Sequence, residues 1–370
     1  MIVGLFTELL AAGGVQNAGR QTAAVLTEIA GERGVRYRLL SLNDPIGEHE
    51  SRVGDSSFIF RGFNRNKYTF VVAATKLALE QSLVTVAAHP NLVLVAALMK
   101  IVAPGMRTLV MSHGIEVWRT LSPLRRWALR RADLVLAPSA DTSRKLALVQ
   151  GVPVKKIRQL AWGLDPDLWI LANRPETLSR PHQFPNGSVI LTVGRWMSNE
   201  RYKGADNLIR ALPLLLEVRP NLHVVAIGEG DDRPRLEGIA RELGISQLVH
   251  FLNWVPKEEL AACYASCDIF ALPSSGEGFG LVFLEAMAFE KPVVGGAHGG
   301  TLDLIQDGLN GFLVPHGDAE RLIRTLRKLL KHGDLRREMG REGRAIVMRH
   351  FRFESFRTRL KETVAQLNVS

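Results

Sequence analysis

The sequence predicts an α/β protein built from two doubly wound halves. Short apolar runs of strand length alternate with helical patterns from Met1 to about Asp165, and the alternation returns from Ser188 to about Pro315. Size agrees, because 370 residues at 46% apolar content supply two cores and exclude a disordered chain.

Taken in order, Met1-Ile2-Val3-Gly4-Leu5-Phe6 reads as the first strand and lacks the charged start and cleavage site of a signal peptide. Ala11-Ala12-Gly13-Gly14-Val15 then forms a glycine turn. The apolar stretch from Ser82 to Ala103 approaches membrane-span length, but His89-Pro90-Asn91 interrupts it and Lys100 falls near its end. A strand, a turn and a buried helix are expected there, and no transmembrane segment. Leu109-Val110-Met111 is a strand that ends at Ser112-His113-Gly114, where the glycine permits close approach of a ligand. Leu124 to Arg131 has the aromatic and basic composition of an interfacial helix, yet its basic residues run around most of the wheel, which favours a solvated helix. Asp165-Pro166-Asp167 has the form of a metal-binding pair but lies in the apparent linker, where Asp and Pro build turns, so no metal is assigned.

In the second half, Leu191-Thr192-Val193-Gly194-Arg195 puts a cation at a strand end, and Lys203-Gly204 introduces the next helix. Val224 to Gly230 is a further strand and loop. The richest stretch is Ser274-Ser275-Gly276-Glu277-Gly278-Phe279-Gly280-Leu281-Val282-Phe283-Leu284-Glu285, between the strand-length runs Cys267 to Pro273 and Lys291 to Gly296. Its glycines let backbone approach a ligand and leave the first helical amides pointing at an anion or a sugar hydroxyl. Glu277 stays on the loop while Glu285 lies about one turn inside the helix. The two carboxylates therefore serve different parts of one elongated ligand.

These residues resemble the E-x7-E element of retaining glycosyltransferases of family 4 with the GT-B fold. Arg195 and Lys203 resemble that family's phosphate-binding pair, Val224 to Gly230 its next strand and loop, Val249 to Val255 its base-side loop, and Ser112 to Glu116 its acceptor-domain histidine. The resemblance implies two Rossmann-like domains facing a cleft. Residues 1–165 would bind the acceptor, 166–345 the nucleotide-sugar donor, and 346–370 would return to the first domain. It also implies that Glu277, His113, Arg195 and Lys203 carry catalysis. Gly14, Arg195, Lys203, Glu229, Val255, Gly278, Phe279, Gly280, Leu281 and Glu285 would hold the donor, with Glu285 on the ribose. A UDP-linked hexose is expected over a GDP-linked one, with no metal or other cofactor required. Two departures from the family pattern stand out: Trp162-Gly163 where Asn-Gly is usual, and Asn253 in place of a glycine.

Charge is segregated. Residues 1–165 carry 21 Lys/Arg and 12 Asp/Glu, residues 166–320 carry 12 and 20, and residues 321–370 carry 14 and 5. If the last helix crosses back, the two basic segments sit together and favour an anionic glycan or lipid-linked acceptor, with peripheral contact at the inner membrane face. Nucleic acid is not expected, since no zinc finger, helix-turn-helix or RNA-binding signature accompanies the charge. Cys263 and Cys267 are read as buried thiols in a cytoplasmic, reducing setting, because two cysteines cannot make a zinc site alone. The function expected is hexosyl transfer in envelope polysaccharide assembly. A nucleotide-sugar epimerase and a non-catalytic nucleotide-sugar binding protein remain the alternatives.

Overall fold

Five consecutive buried residues form β1 (Ile2–Phe6), a continuous apolar run because helices cover both faces of the sheet around it. The computed structural model describes residues 1–80 and 83–367. After β1 come α1 (Gly14–Glu32), β2 (Tyr37–Ser41), β3 (Gly47–Val53), β4 (Ser56–Gly62), α2 (Lys67–Leu79), β5 (Val84–Ala87), α3 (Val93–Val102), β6 (Arg107–Met111), α4 (Pro123–Arg131), β7 (Leu134–Ala137), α5 (Ala140–Leu148) and β8 (Ile157–Gln159). The sheet order is β3-β4-β2-β1-β5-β6-β7-β8, parallel except for the β3–β4 hairpin. That hairpin alternates exposed residues with half-buried ones in β3 and with mostly buried ones in β4, as a sheet with one open face should.

The second sheet follows α6 (Pro166–Ala172). Its elements are β9 (Ser188–Val193), α7 (Ala205–Leu216), β10 (Leu222–Ile227), α8 (Arg233–Glu242), β11 (Val249–Leu252), α9 (Lys257–Ser266), β12 (Ile269–Leu272), α10 (Leu281–Ala288), β13 (Val293–Gly296), α11 (Thr301–Leu304), β14 (Gly311–Val314), α12 (Ala319–Lys331) and α13 (Gly333–Ile346). All its strands are parallel in the order β11-β10-β9-β12-β13-β14. Successive crossovers reverse direction between β9 and β12, so a crevice opens beyond their carboxyl ends.

The chain divides into one unit of Met1–Pro166 plus the segment from Arg352 onward, and another of Asp167–Phe351. The return therefore falls at 351/352, beyond the 345/346 boundary read from the sequence. The reason is local: α13 runs on into a π-helical turn, Val347–Phe351, whose Phe351 ring packs edge-on against Phe279 of the same unit. Only then does α14 (Phe353–Leu367) begin, laying Phe356 on Trp162 and Lys361 against Glu28 and Glu32 of α1.

This division corrects the charge expectation. The first unit holds 25 Lys/Arg and 14 Asp/Glu, the second 22 and 23. Most of the basic C-terminal charge stays in the second unit because α12 and α13 pack there, α12 against α7 and α13 against α10. Only α14 joins the basic first unit. The stretch expected as a buried helix is corrected too: α3 buries Val93, Ala96 and Met99, but Leu98 and Ile101 are exposed. Ser82, where that stretch began, lies outside the described residues. No helix among the described residues is long and apolar enough to cross a membrane.

Candidate nucleotide-sugar site

At the crevice of the second unit, the loop from Pro273 to Gly280 leaves β12 and ends as the N-cap of α10. Gly280 has φ +97°, a left-handed conformation that side-chain-bearing residues rarely adopt, and it offers no side chain to the first helical amides. Those amides, from Leu281 onward, form the mouth expected to receive phosphate. The loop is held by close backbone approach. A Cβ at Gly296 would stand 1.6 Å from the Ser274 carbonyl oxygen, one at Gly204 2.5 Å from that of Pro273, and one at Gly300 2.6 Å from that of Gly278. Two further hydrogen bonds fix it, from Ser275 N–H to Tyr202 O at 2.7 Å and from Gly300 N–H to Glu277 O at 2.7 Å.

Lys203 and Glu277, 74 residues apart in sequence, meet here at 3.3 Å, with side chains only 13% and 11% exposed. The Lys203 stem lies over Gly194 just after β9, where a Cβ would stand 3.3 Å from the lysine Cδ. The 3-10 segment Ser198–Lys203 that presents this lysine is itself anchored: Ser198 bonds to Asp231, Arg201 to Asp232, and Arg235 ties Asp232 to Asp206. Arg195 is different. Its guanidinium is 73% exposed and pairs with Glu200, whose other carboxylate oxygen is buried without a hydrogen-bond partner. Burial first, and then the charges of Glu277 and Glu200, raise the Tyr202 phenol well above its ordinary pKa, while Arg195 opposes them. One phenol thus senses Arg195, Glu200 and Glu277 together.

Glu285 faces the other way along α10. The buried Tyr264 hydroxyl donates to it at 2.8 Å, and burial followed by that carboxylate drives the tyrosine's pKa far upward. Glu229, at the end of β10, accepts the Trp254 amide at 3.4 Å, which brings it beside Val255. Asn253, the departure in this loop, accepts a hydrogen bond from Arg233 at 2.6 Å. Phe279 is buried against Phe351, so any ligand contact it makes is through its backbone. Cys263 and Cys267 are free, buried thiols whose pKa burial pushes to about 12.

Gly14 and His113 belong to the first unit. Gly14 opens α1, whose N-cap Gly13 also lacks a capping side chain. The loop before it is pinned by Asp44, which accepts from the Leu9 and Leu10 amides, and by Arg20, which donates to Leu9 O and Ala11 O. His113 is 9% exposed, and its Nε2 lies 2.7 Å from Ala88 O. A carbonyl only accepts, so Nε2 is the donor, and Nδ1 is buried without a partner among the described residues. The ring is stacked on one side by His89 at 5.5 Å and on the other by Trp162 at 5.2 Å. The Trp162 departure therefore has a local role as the far wall of that histidine. Asp165 is buried near Arg20, whereas Asp167 pairs with Lys257 at 2.7 Å, so the two carboxylates serve different cations.

The sequence reading missed Glu200, Tyr202, Tyr264, Asp44 and Arg20. Their partners lie across the fold or on an irregular turn, and only Asp44, in Asn43-Asp44-Pro45 after a strand, carried a turn signal.

Two profiles match the chain: glycosyl transferases group 1 over residues 175–346, and glycosyltransferase family 4 over residues 12–168. A GDP-mannose-dependent alpha-(1-6)-phosphatidylinositol monomannoside mannosyltransferase from Mycolicibacterium smegmatis is 32% identical over 276 residues, covering 70% of this chain and 71% of that protein. A D-inositol 3-phosphate glycosyltransferase from Corynebacterium aurimucosum is 35% identical over 218 residues, 56% of this chain and 51% of the relative. Among solved structures, Anabaena HepE in complex with UDP aligns with TM-score 0.74 at 20% identity, covering 99% of both chains. Sucrose-phosphate synthase from Thermosynechococcus elongatus aligns with TM-score 0.77 at 21% identity, covering 99% of this chain and 98% of that one.

Proposed function

This chain belongs to the glycosyltransferases of family 4 with the GT-B fold, and we propose that it moves a mannosyl group from GDP-mannose to an anionic glycan or lipid-linked acceptor in envelope assembly, with retention and without a metal. The observation that carries the reading is the Lys203–Glu277 pair at the mouth of α10, where β9 and β12 diverge. GDP-mannose is preferred to the UDP-linked hexose expected from sequence because the relative matched over 71% of its length is GDP-mannose-dependent. The UDP-bound neighbour, at 20% identity, speaks to the fold alone.

In this reading Lys203, Arg195 and the amides of Gly278 to Leu281 take the charge that develops on the diphosphate, the task a metal performs elsewhere. Each cation–phosphate contact at about 4 Å is worth on the order of 4 kcal/mol before desolvation. Glu285, set by Tyr264, holds the ribose, and Glu229 with Val255 lines the base. Glu277, fixed by Lys203, orients the sugar. His113 Nδ1 accepts a substrate hydroxyl. The sugar–phosphate bond breaks as the acceptor oxygen bonds to the same face of the anomeric carbon, and the acceptor's proton passes to the leaving diphosphate. No protonating carboxylic acid of the glycosidase kind is needed, because the diphosphate already leaves well. The basic first unit favours an anionic acceptor and peripheral contact with an anionic cytoplasmic leaflet.

The test is nucleotide release from GDP- and UDP-sugars with and without candidate acceptors, in chelator, with the product's anomeric configuration read by NMR. Release of GDP only with acceptor, and retained configuration, is expected. Sugar isomerisation without acceptor would make the protein an epimerase, binding without turnover a carrier, and a strict divalent-metal requirement would remove the metal-free mechanism.

A further inference from the structure

The first sheet ends on one side at β3, a strand with little of the protection that sheet edges ordinarily carry. Folded proteins shield an edge with a very short strand, lysine, proline, a bulge or a covering helix. β8, the opposite edge, has three residues, follows Lys155 and Lys156, and its Arg158 donates to Gln366 of α14. β11 and β14, the edges of the second sheet, have four residues each. β3 has seven, with no proline or lysine, and it pairs residue for residue with β4 from Gly47 opposite Gly62 to Val53 opposite Ser56, so no bulge turns it aside. Its other side carries no strand. Charge is the one safeguard, and that charge is self-complementary.

Val53 and Ser56 close a two-residue turn, and bonding alternates along an antiparallel ladder. Gly47, His49, Ser51 and Val53 therefore bond to β4, while the backbone N–H and C=O groups of Glu48, Glu50 and Arg52 face the open edge. The side chains of these three residues are exposed, and none has a hydrogen bond or an ion pair among the described residues. A second β3 laid antiparallel, with a two-fold axis at Ser51, sets Glu50 opposite Arg52 of the second copy and Arg52 opposite its Glu50. Moving the axis to Glu50 would face that carboxylate with its own copy, and like charges directly opposite destabilise a strand pair. The charges thus select the register centred on Ser51.

We propose that β3 is a homodimer interface: two copies of this chain join their eight-stranded sheets edge to edge about a two-fold axis at Ser51, through backbone hydrogen bonds and two reciprocal Glu50–Arg52 ion pairs. A two-fold contact of this kind closes on itself, so it makes a dimer and not a fibre. The main chain supplies the adhesion, as in other cases of strand addition, and the side chains supply the register. Both ion pairs are exposed and screened by salt, so the association is weak and reversible. The interface uses no group assigned to donor or acceptor chemistry, and it stands or falls apart from the reading of the chain as a transferase.

Sedimentation velocity of the intact protein across a concentration series reads the association. A monomer–dimer equilibrium is expected, weakened about tenfold or more in Glu50→Arg and in Arg52→Glu, because either change sets like charges opposite each other twice across the axis. An equimolar mixture of the two variants, two arginines against two glutamates, should associate at least as tightly as the wild type. Ser51→Cys tests the register. The two Ser51 positions form a pair without backbone hydrogen bonds, whose Cα atoms stand about 4.5 Å apart, within the span of a disulfide. Mild oxidation should give a covalent dimer of Ser51→Cys and none of Glu48→Cys, which lies well out of register with its copy; the native thiols Cys263 and Cys267 are buried. A monomer at every concentration, a dimer that neither charge change weakens, a mixture that fails to associate, or cross-linking through Glu48→Cys and not Ser51→Cys overturns the proposal.

Discussion

The two carboxyl edges differ in how far their charged side chains are paired. In the second unit the charged groups are paired, Lys203 with Glu277, Arg195 with Glu200 and Glu285 with Tyr264, although Glu200 Oε2 and Ser274 Oγ are buried without a partner among the described residues. In the first unit His113 Nδ1 and Arg125 stand without partners beside a stacked aromatic column. A buried ion pair fixes geometry ahead of binding, and each member is costly to remove alone. A buried orphan gains its partner from what binds. The second edge is thus preset, and the first is selective.

Breaking the preset edge at its centre should have the largest effect. Glu277→Gln is expected to lower kcat about 100- to 1000-fold while GDP binding is retained, as steady-state kinetics and calorimetry would read; near-normal turnover would remove Glu277 from the mechanism. Lys203→Ala strips a charge-assisted phosphate contact and leaves Glu277 buried without its partner, so GDP affinity should fall about 10- to 100-fold and stability by about 3 kcal/mol. The double variant Lys203→Met/Glu277→Gln sharpens this: it should recover much of the stability in denaturant melts and none of the activity.

Gly296→Ala attacks the scaffold instead of the chemistry. Its Cβ would sit 1.6 Å from the Ser274 carbonyl oxygen, so a loss of about 1–3 kcal/mol with lowered turnover is expected from calorimetric melting. An unchanged Tm would show that the loop yields easily. Arg195→Ala should weaken GDP about tenfold with stability within about 0.5 kcal/mol, since the side chain is 73% exposed.

The smallest effect is on acid tolerance. Burial is the main cause that depresses His89, to about 4, and it also lowers His223 and His250, which share a hydrogen bond of 3.0 Å between β10 and β11. Each folded pKa lies below the unfolded value of about 6.5. The unfolded chain then binds more protons, so their contribution is complete above about pH 6.5 and declines as pH falls toward 4. Equilibrium denaturation at pH 7 and pH 5 checks the sign, and equal stability at both would refute it.

Much of this architecture was readable because the parallel strands are buried on both faces and announce themselves as unbroken apolar runs such as Val189 to Leu191 and Ile269 to Leu272. The β3–β4 hairpin was overlooked because its polar outer face, Glu48, Glu50 and Arg52, hides the alternation. Within the candidate site, Lys203, Glu277 and the α10 mouth were legible because glycines and charges cluster at strand ends. Glu200 and Tyr264 were not, since nothing local marks a side chain whose partner is reached only through the tertiary fold. The mistaken grouping of the two basic segments has the same origin: helical period tells where α12, α13 and α14 lie in sequence, not which sheet each covers.

That α14 belongs to the first unit inverts the order of assembly on the ribosome. The second unit has all of its residues once Phe351 has been synthesised, whereas the first lacks the helix that covers Trp162 and α1 until the final stretch emerges. Translation ordinarily completes domains from the front. Here the piece made first is the piece finished last, and truncating the tail would leave a bare apolar groove on a nascent half.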